Sequence, residues 1–114
     1  MLLNVSIDER THHIEPPPGM VGEAEEFFAK MDADMDQGWQ MSRQWVESPD
    51  RFQRCQIVAD KLMTAHNEGN DILVKLMAAY MLSRLPGIVG VRVNTDGEMT
   101  ETELVMGSDE GAAQ

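Results

Sequence analysis

Leu3, Val5 and Ile7 alternate with Asn4, Ser6 and Asp8, the two-residue period of a strand with one buried face. Pro16, Pro17, Pro18 and Gly19 then force extended backbone and a turn, which closes an N-terminal arm at residues 1–19. From about Met20 to Val46 the period changes. Phe28, Met31, Met35, Gly38, Ser42 and Trp45 are spaced three and four apart and draw one stripe along a helix, widened by Phe27, Trp39 and Val46. Glu23, Glu25 and Glu26 fall in its opening turns, where the helix dipole favours acids. Within that stripe, Gly38 and Ser42 either let a second helix approach closely or mark a kink at the glycine.

Ser48-Pro49-Asp50 predicts the start of a second helix, with Ser48 as cap, Pro49 in the first helical position and Asp50 complementing the dipole. Phe52, Cys55, Ala59, Leu62 and His66 share one face of it, and Gly69 is suited to a left-handed cap at its end. Asn70 is placed to cap a third helix over residues 71–85. That segment is apolar almost all round, from Ile72, Leu73 and Val74 to Leu82 and Leu85. Two other helices can hardly cover such a circumference, so the pattern predicts either a central position or a subunit interface, and with it a homodimer. Pro86-Gly87 ends the helix. Ile88 to Asn94 reads as a strand, Thr95-Asp96-Gly97 as a turn, and Met99 to Met106 as the return arm of a hairpin.

The fold class expected from this pattern is mainly α. It is a three-helix domain over residues 20–106 with a small accessory β element from the N-terminus and residues 88–106; α+β is the second reading. Residues 107–114 are expected to form a disordered acidic tail.

Composition narrows the function classes. The chain has 114 residues and a formal net charge of −11, which opposes binding to nucleic acid or anionic lipid and favours a partner protein with a basic surface. One cysteine, Cys55, allows no internal disulfide, and the first residues carry no basic leader followed by a long apolar run. No stretch approaches the roughly 18 apolar residues of a membrane span. A cytoplasmic protein is the expectation.

The candidate chemistry is sparse. Asp32, Asp34 and Asp36 imitate the opening of a calcium loop, but Gln37 stands where the loop glycine belongs and Arg43 where its closing acid belongs. His12 and His13, with Asp32 and Asp36 from the first helix, are the candidate ligands of a divalent metal; no other cofactor is called for. Adjacent histidines on a strand face opposite ways, so one of the two at most joins a given site. His66 and Tyr80 are the candidates for a small cofactor-free enzyme, although a histidine in a last helical turn commonly serves the dipole. Cys55 lies on an apolar stripe, where a thiol acts as a small hydrophobe. Arg43, Arg51, Arg54 and Lys61 are the basic concentration, set among Glu47, Asp50 and Asp60.

Ten methionines are many for this length. Flexible, polarisable methionine suits adaptable binding faces as well as cores. Met31, Met35, Met77 and Met81, with Trp39 and Trp45, are the candidate partner-binding residues, and the leading expectation is a protein-binding accessory or regulatory module.

Overall fold

Leu3, Val5 and Ile7 are buried on one face of a strand, β1 (Leu3–Ile7). The computed structural model, which describes residues 2–107, extends this into a hairpin with β2 (Arg10–Ile14). Its two turn residues, Asp8 and Glu9, both have positive φ, at 52° and 69°, as the tightest hairpin turns require. No glycine or asparagine announces that turn, so the sequence pattern stops at one strand. The Asp8 carboxylate accepts a 2.8 Å hydrogen bond from the Thr95 hydroxyl, a distant residue that helps hold the turn.

The segment expected to be one long helix is broken twice. A single turn, α1 (Met20–Glu23), gives way at Ala24 to α2 (Glu25–Asp36). The helix ends before Gly38, whose φ of 105° is left-handed, and the chain folds into a second hairpin, β3 (Trp39–Met41) and β4 (Gln44–Val46). Phe28, Met31 and Met35 keep the predicted stripe; Gly38, Ser42 and Trp45 leave it. A Cβ on Gly38 would overlap the Trp45 indole, so the glycine serves a tight turn against a ring and not a helix–helix contact. Gly69 also has positive φ, at 75°, but has open space around its missing side chain. Gly38→Ala should therefore cost more than Gly69→Ala, about 2 kcal/mol or above against about 1 kcal/mol. Urea denaturation of the two variants checks this, and equal losses would show that the indole moves aside freely.

The next helix, α3 (Arg51–Asn67), is capped by Asp50 and not by Ser48. Asp50 accepts from the Gln53 backbone N–H at 2.8 Å, and the Gln53 side chain accepts from the Asp50 N–H at 2.9 Å, a reciprocal capping box. Asn70 caps α4 (Asp71–Arg84) as its sequence predicts, accepting from Leu73 N–H at 3.1 Å. After α4 come β5 (Ile88–Arg92), a 3-10 turn at Met99–Glu101, and β6 (Glu103–Met106), which pairs antiparallel with β5.

The four main strands form one sheet in the order β2-β1-β5-β6, with β1 and β5 parallel. This corrects the mainly α expectation: the fold is mixed α/β, the α+β reading, because the first and fifth strands pair across the whole length of the chain. The sheet is structural and not accessory. Leu3, Val5, Ile7, Ile88 and Val91 are all buried beneath the helices. Its other face carries polar cross-strand pairs: His13 with Asn4 at 2.5 Å, Ser6 with Thr11 at 3.1 Å, and Arg92 with Glu103 at 2.9 Å.

The circumference of the 71–85 segment finds its cover within the chain. Helix α3 packs along α4, with α1 and β5 beside it, and Val74, Met77 to Leu82, and Leu85 are buried. Only Ile72, at its outer end, stands well out, 69% exposed. Surplus apolar surface on this helix therefore gives no reason for a second subunit. The expected acidic tail, beyond Gly107, lies outside the described residues.

Candidate functional site

Three features stand out: a charged latch, an apolar groove and a histidine-lined cavity.

The latch centres on Asp32 of α2, which is half-buried. Its carboxylate accepts from the Tyr80 hydroxyl and, at 2.9 Å, from Arg84 Nε, both on α4, and pairs with Arg54 of α3 at 3.3 Å. Arg54 also pairs with Asp36 and donates to the Pro49 carbonyl at 2.9 Å. The Arg84 guanidinium makes a two-pronged contact with Glu25, 2.9 Å on each oxygen, and lies over the Tyr80 and Phe28 rings. One carboxylate thus ties three helices together. The hydrogen bonds that the Arg84 guanidinium donates to Glu25 hold the Glu25 carboxyl below its ordinary range, and the same contact keeps Arg84 protonated more firmly still. Burial first, then the Asp32 hydrogen bond and charge, pushes the Tyr80 phenol well up, which bars it from acting as a base near neutral pH.

The shallow depression here, about 220 Å³, is bordered by Arg51, Arg54 and Arg84 but also by Asp32 and Asp50. Arg54 and Arg84 are already engaged by carboxylates, so this is a structural network and not an anion site. Asp32→Ala should cost about 2–3 kcal/mol, since it leaves the Tyr80 phenol without its acceptor and takes from Arg54 and Arg84 the carboxylate they share, leaving each with its outer carboxylate partner only. Chemical denaturation measures it. A loss below about 0.5 kcal/mol would mean that solvent screens the network as it does ordinary surface pairs.

The groove runs between α2, α3 and α4, with a volume of about 490 Å³. Phe27, Met31, Ala65, Leu73 and Met77 line it, and Asp60, Lys61, Thr64 and Glu68 stand at its rim. Phe27 is 44% exposed, unusual for a phenylalanine with a fully buried neighbour at Phe28. Lys61 is held over the Trp39 ring, 4.7 Å from its centre. Helical spacing put Phe27 and Met31 on adjoining turns; that α3 and α4 complete the walls is not legible from any one segment.

The six candidate partner-binding residues separate accordingly. Met31 and Met77 line the groove. Met35 and Met81 are core residues, 1% and 0% exposed, which corrects their placement on a binding face. Trp39 is half-buried beside Lys61, and Trp45, 56% exposed, lies against Gly38 on the second hairpin.

The four candidate metal ligands do not converge. Asp32 and Asp36 are held by arginines, whereas His12 and His13 line a different cavity, of about 450 Å³, with His66, Glu15 and Asp71. Among the described residues, no group of three or more histidine, cysteine, aspartate or glutamate side chains is set to hold a metal ion. His66 and Tyr80, the candidate enzymatic pair, line separate depressions. Cys55 is fully buried, and burial, with the Asp32 charge, pushes its thiol up to about 12. It is a core residue and not a nucleophile. Among the described residues no helix is long and apolar enough to cross a membrane.

Comparison with protein-family models, curated proteins and solved structures finds no match for the chain.

Proposed function

We propose that this chain is a protein-binding module, an accessory or regulatory component that takes an apolar segment with basic flanks from a partner protein into the groove between α2, α3 and α4. The observation that carries this reading is the groove itself: concave, apolar along its floor, and flanked at the rim by Asp60 and Glu68. Three helices forming such a trough offer the usual seat for the apolar face of an amphipathic helix. Met31 and Met77 can adjust to side chains of different shape. The net charge of −11 draws cationic partners and repels acidic ones, which favours basic flanks on the occupant. Lys61, the cation at the rim, is occupied by the Trp39 ring. Under this reading the partner is a cytoplasmic protein and no cofactor is required.

The test uses protein labelled at its methionine methyl groups and a short amphipathic leucine–lysine helix as probe. Binding should move the resonances of Met31 and Met77 and leave those of Met41 and Met81, deep in the core, in place. Affinity should fall as salt rises, and Phe27→Asp should abolish binding without unfolding the protein. Shifts centred on Met106 of the sheet edge, or none at millimolar peptide, would overturn the proposal. Saturable self-association through the same methyls would replace the foreign partner with a second copy of the chain.

A further inference from the structure

We infer that His12 and His66 form a two-imidazole binding site for a borderline transition-metal ion such as zinc, nickel or copper(II). The rings come from separate elements, β2 and the last turn of α3, and their centres lie 4.5 Å apart with the planes tilted by 54°. A tetrahedral ion about 2.1 Å from each ligand nitrogen needs the two nitrogens about 3.4 Å apart, a spacing within reach of two rings whose centres lie 4.5 Å apart. His12 and His66 line the same cavity, together with Glu15 and Asp71.

Both ligand-bearing segments are anchored. The α3 terminus is closed by the bond from Gly69 N–H to the His66 carbonyl, 3.1 Å, and β2 is in register with β1 along its length. Asp71, which opens α4 directly after its Asn70 cap, lines the same cavity but is not set as a third ligand, so water fills the positions that the two imidazoles leave open. His13 serves the opposite side of its strand, where its Nδ1 meets the Asn4 amide oxygen at 2.5 Å. Lys75 in the same cavity opposes a cation, while the net charge of −11 attracts one. The two imidazoles suit nickel, copper and zinc, and not the oxygen-seeking magnesium or calcium. This inference uses residues outside the groove and stands or falls separately from the binding-module reading.

Zinc chloride and nickel chloride, titrated into the full-length, tag-free protein, test it. Zinc should shift the imidazole nitrogen resonances of His12 and His66 in the unaltered chain and raise its melting temperature. The affinity should fall as pH is lowered, because protons compete for the same nitrogens. His12→Gln and His66→Gln should each weaken binding at least about tenfold, while His13→Gln leaves it unchanged. Magnesium should give no shift. Zinc bound equally well by the His12 and His66 variants, or no perturbation of these two rings at millimolar zinc, would overturn the site. The ring resonances of the unaltered chain decide the matter even where a variant folds poorly.

Discussion

Phe28→Ala is expected to lower folding stability by about 3–5 kcal/mol, a large share of what a domain of this size possesses. The side chain is 0% exposed, meets the Tyr80 ring edge-on at 5.6 Å between centres, and lies under the Arg84 guanidinium. Its loss opens a cavity at the junction of α2 and α4, directly beneath the Asp32 latch, where neighbours bound in a charged network cannot easily close in. The melting temperature should fall by about 12–20 °C. Phe27→Ala, one residue away, should cost under about 1 kcal/mol because that ring is already 44% exposed, yet it removes a wall of the groove. Calorimetry of the two variants, set beside the peptide titration, separates folding from binding. Similar melting temperatures would show that Phe28 is not the keystone of α2.

Stability should also fall steeply in alkali. The Cys55 thiol, ordinarily 9.0, is pushed up to about 12 by burial and then by the Asp32 charge. The Tyr80 phenol, ordinarily 10.0, is likewise raised. Both groups keep their protons in the folded chain after the unfolded chain has released them. Their contribution is therefore whole below about pH 9 and declines above it, first through Cys55 and then, past pH 10, through Tyr80 as well. Each group costs about 1 kcal/mol per pH unit in its window, and together they remove on the order of 3–4 kcal/mol by pH 11. The urea midpoint measured between pH 8 and 11 should trace this decline, and Cys55→Ala should flatten its first part. A midpoint constant through pH 10.5 would contradict the burial of both groups. At the acid end, Glu25, lowered mainly by its Arg84 hydrogen bond, contributes above its ordinary 4.5 and loses that contribution as pH falls below it.

How far the chain's pattern reaches can be judged element by element. Where a signal is local, it is legible. The strand at Leu3–Ile7, the starts of α3 and α4, the left-handed Gly69 and the strand beginning at Ile88 all follow from neighbours within a few residues. Even there, the box with Gln53 selects Asp50 over Ser48 as the cap. The first helix misleads because a three-and-four spacing persists by chance through Gly38, Ser42 and Trp45. What overrides it is the left-handed glycine and the hairpin behind it. That hairpin is tethered from far away by Ser42 Oγ, which accepts from the Met99 N–H at 2.8 Å.

The candidate sites divide in the same way. Asp32, His12, His66, Met31 and Met77 are visible as residue types, but their partners are not. Asp32 meets Tyr80 and Arg84 across some fifty residues of sequence, and His12 meets His66 across a similar span. Such meetings depend on helix packing over a sheet that only the pairing of β1 with β5 creates.

The sequence alone determined the net acidity, the two helices that follow Asp50 and Asn70, the Asn70 cap and the strong tendency of residues 71–85 to be buried, because charge, propensity and capping act over a few residues. Tertiary structure alone decided that this tendency is met inside one chain, that the strands join into one four-stranded sheet, and which side chains face a groove or a core. Those outcomes depend on the relative placement of distant segments, and the energy that sets it is burial shared among all of them at once.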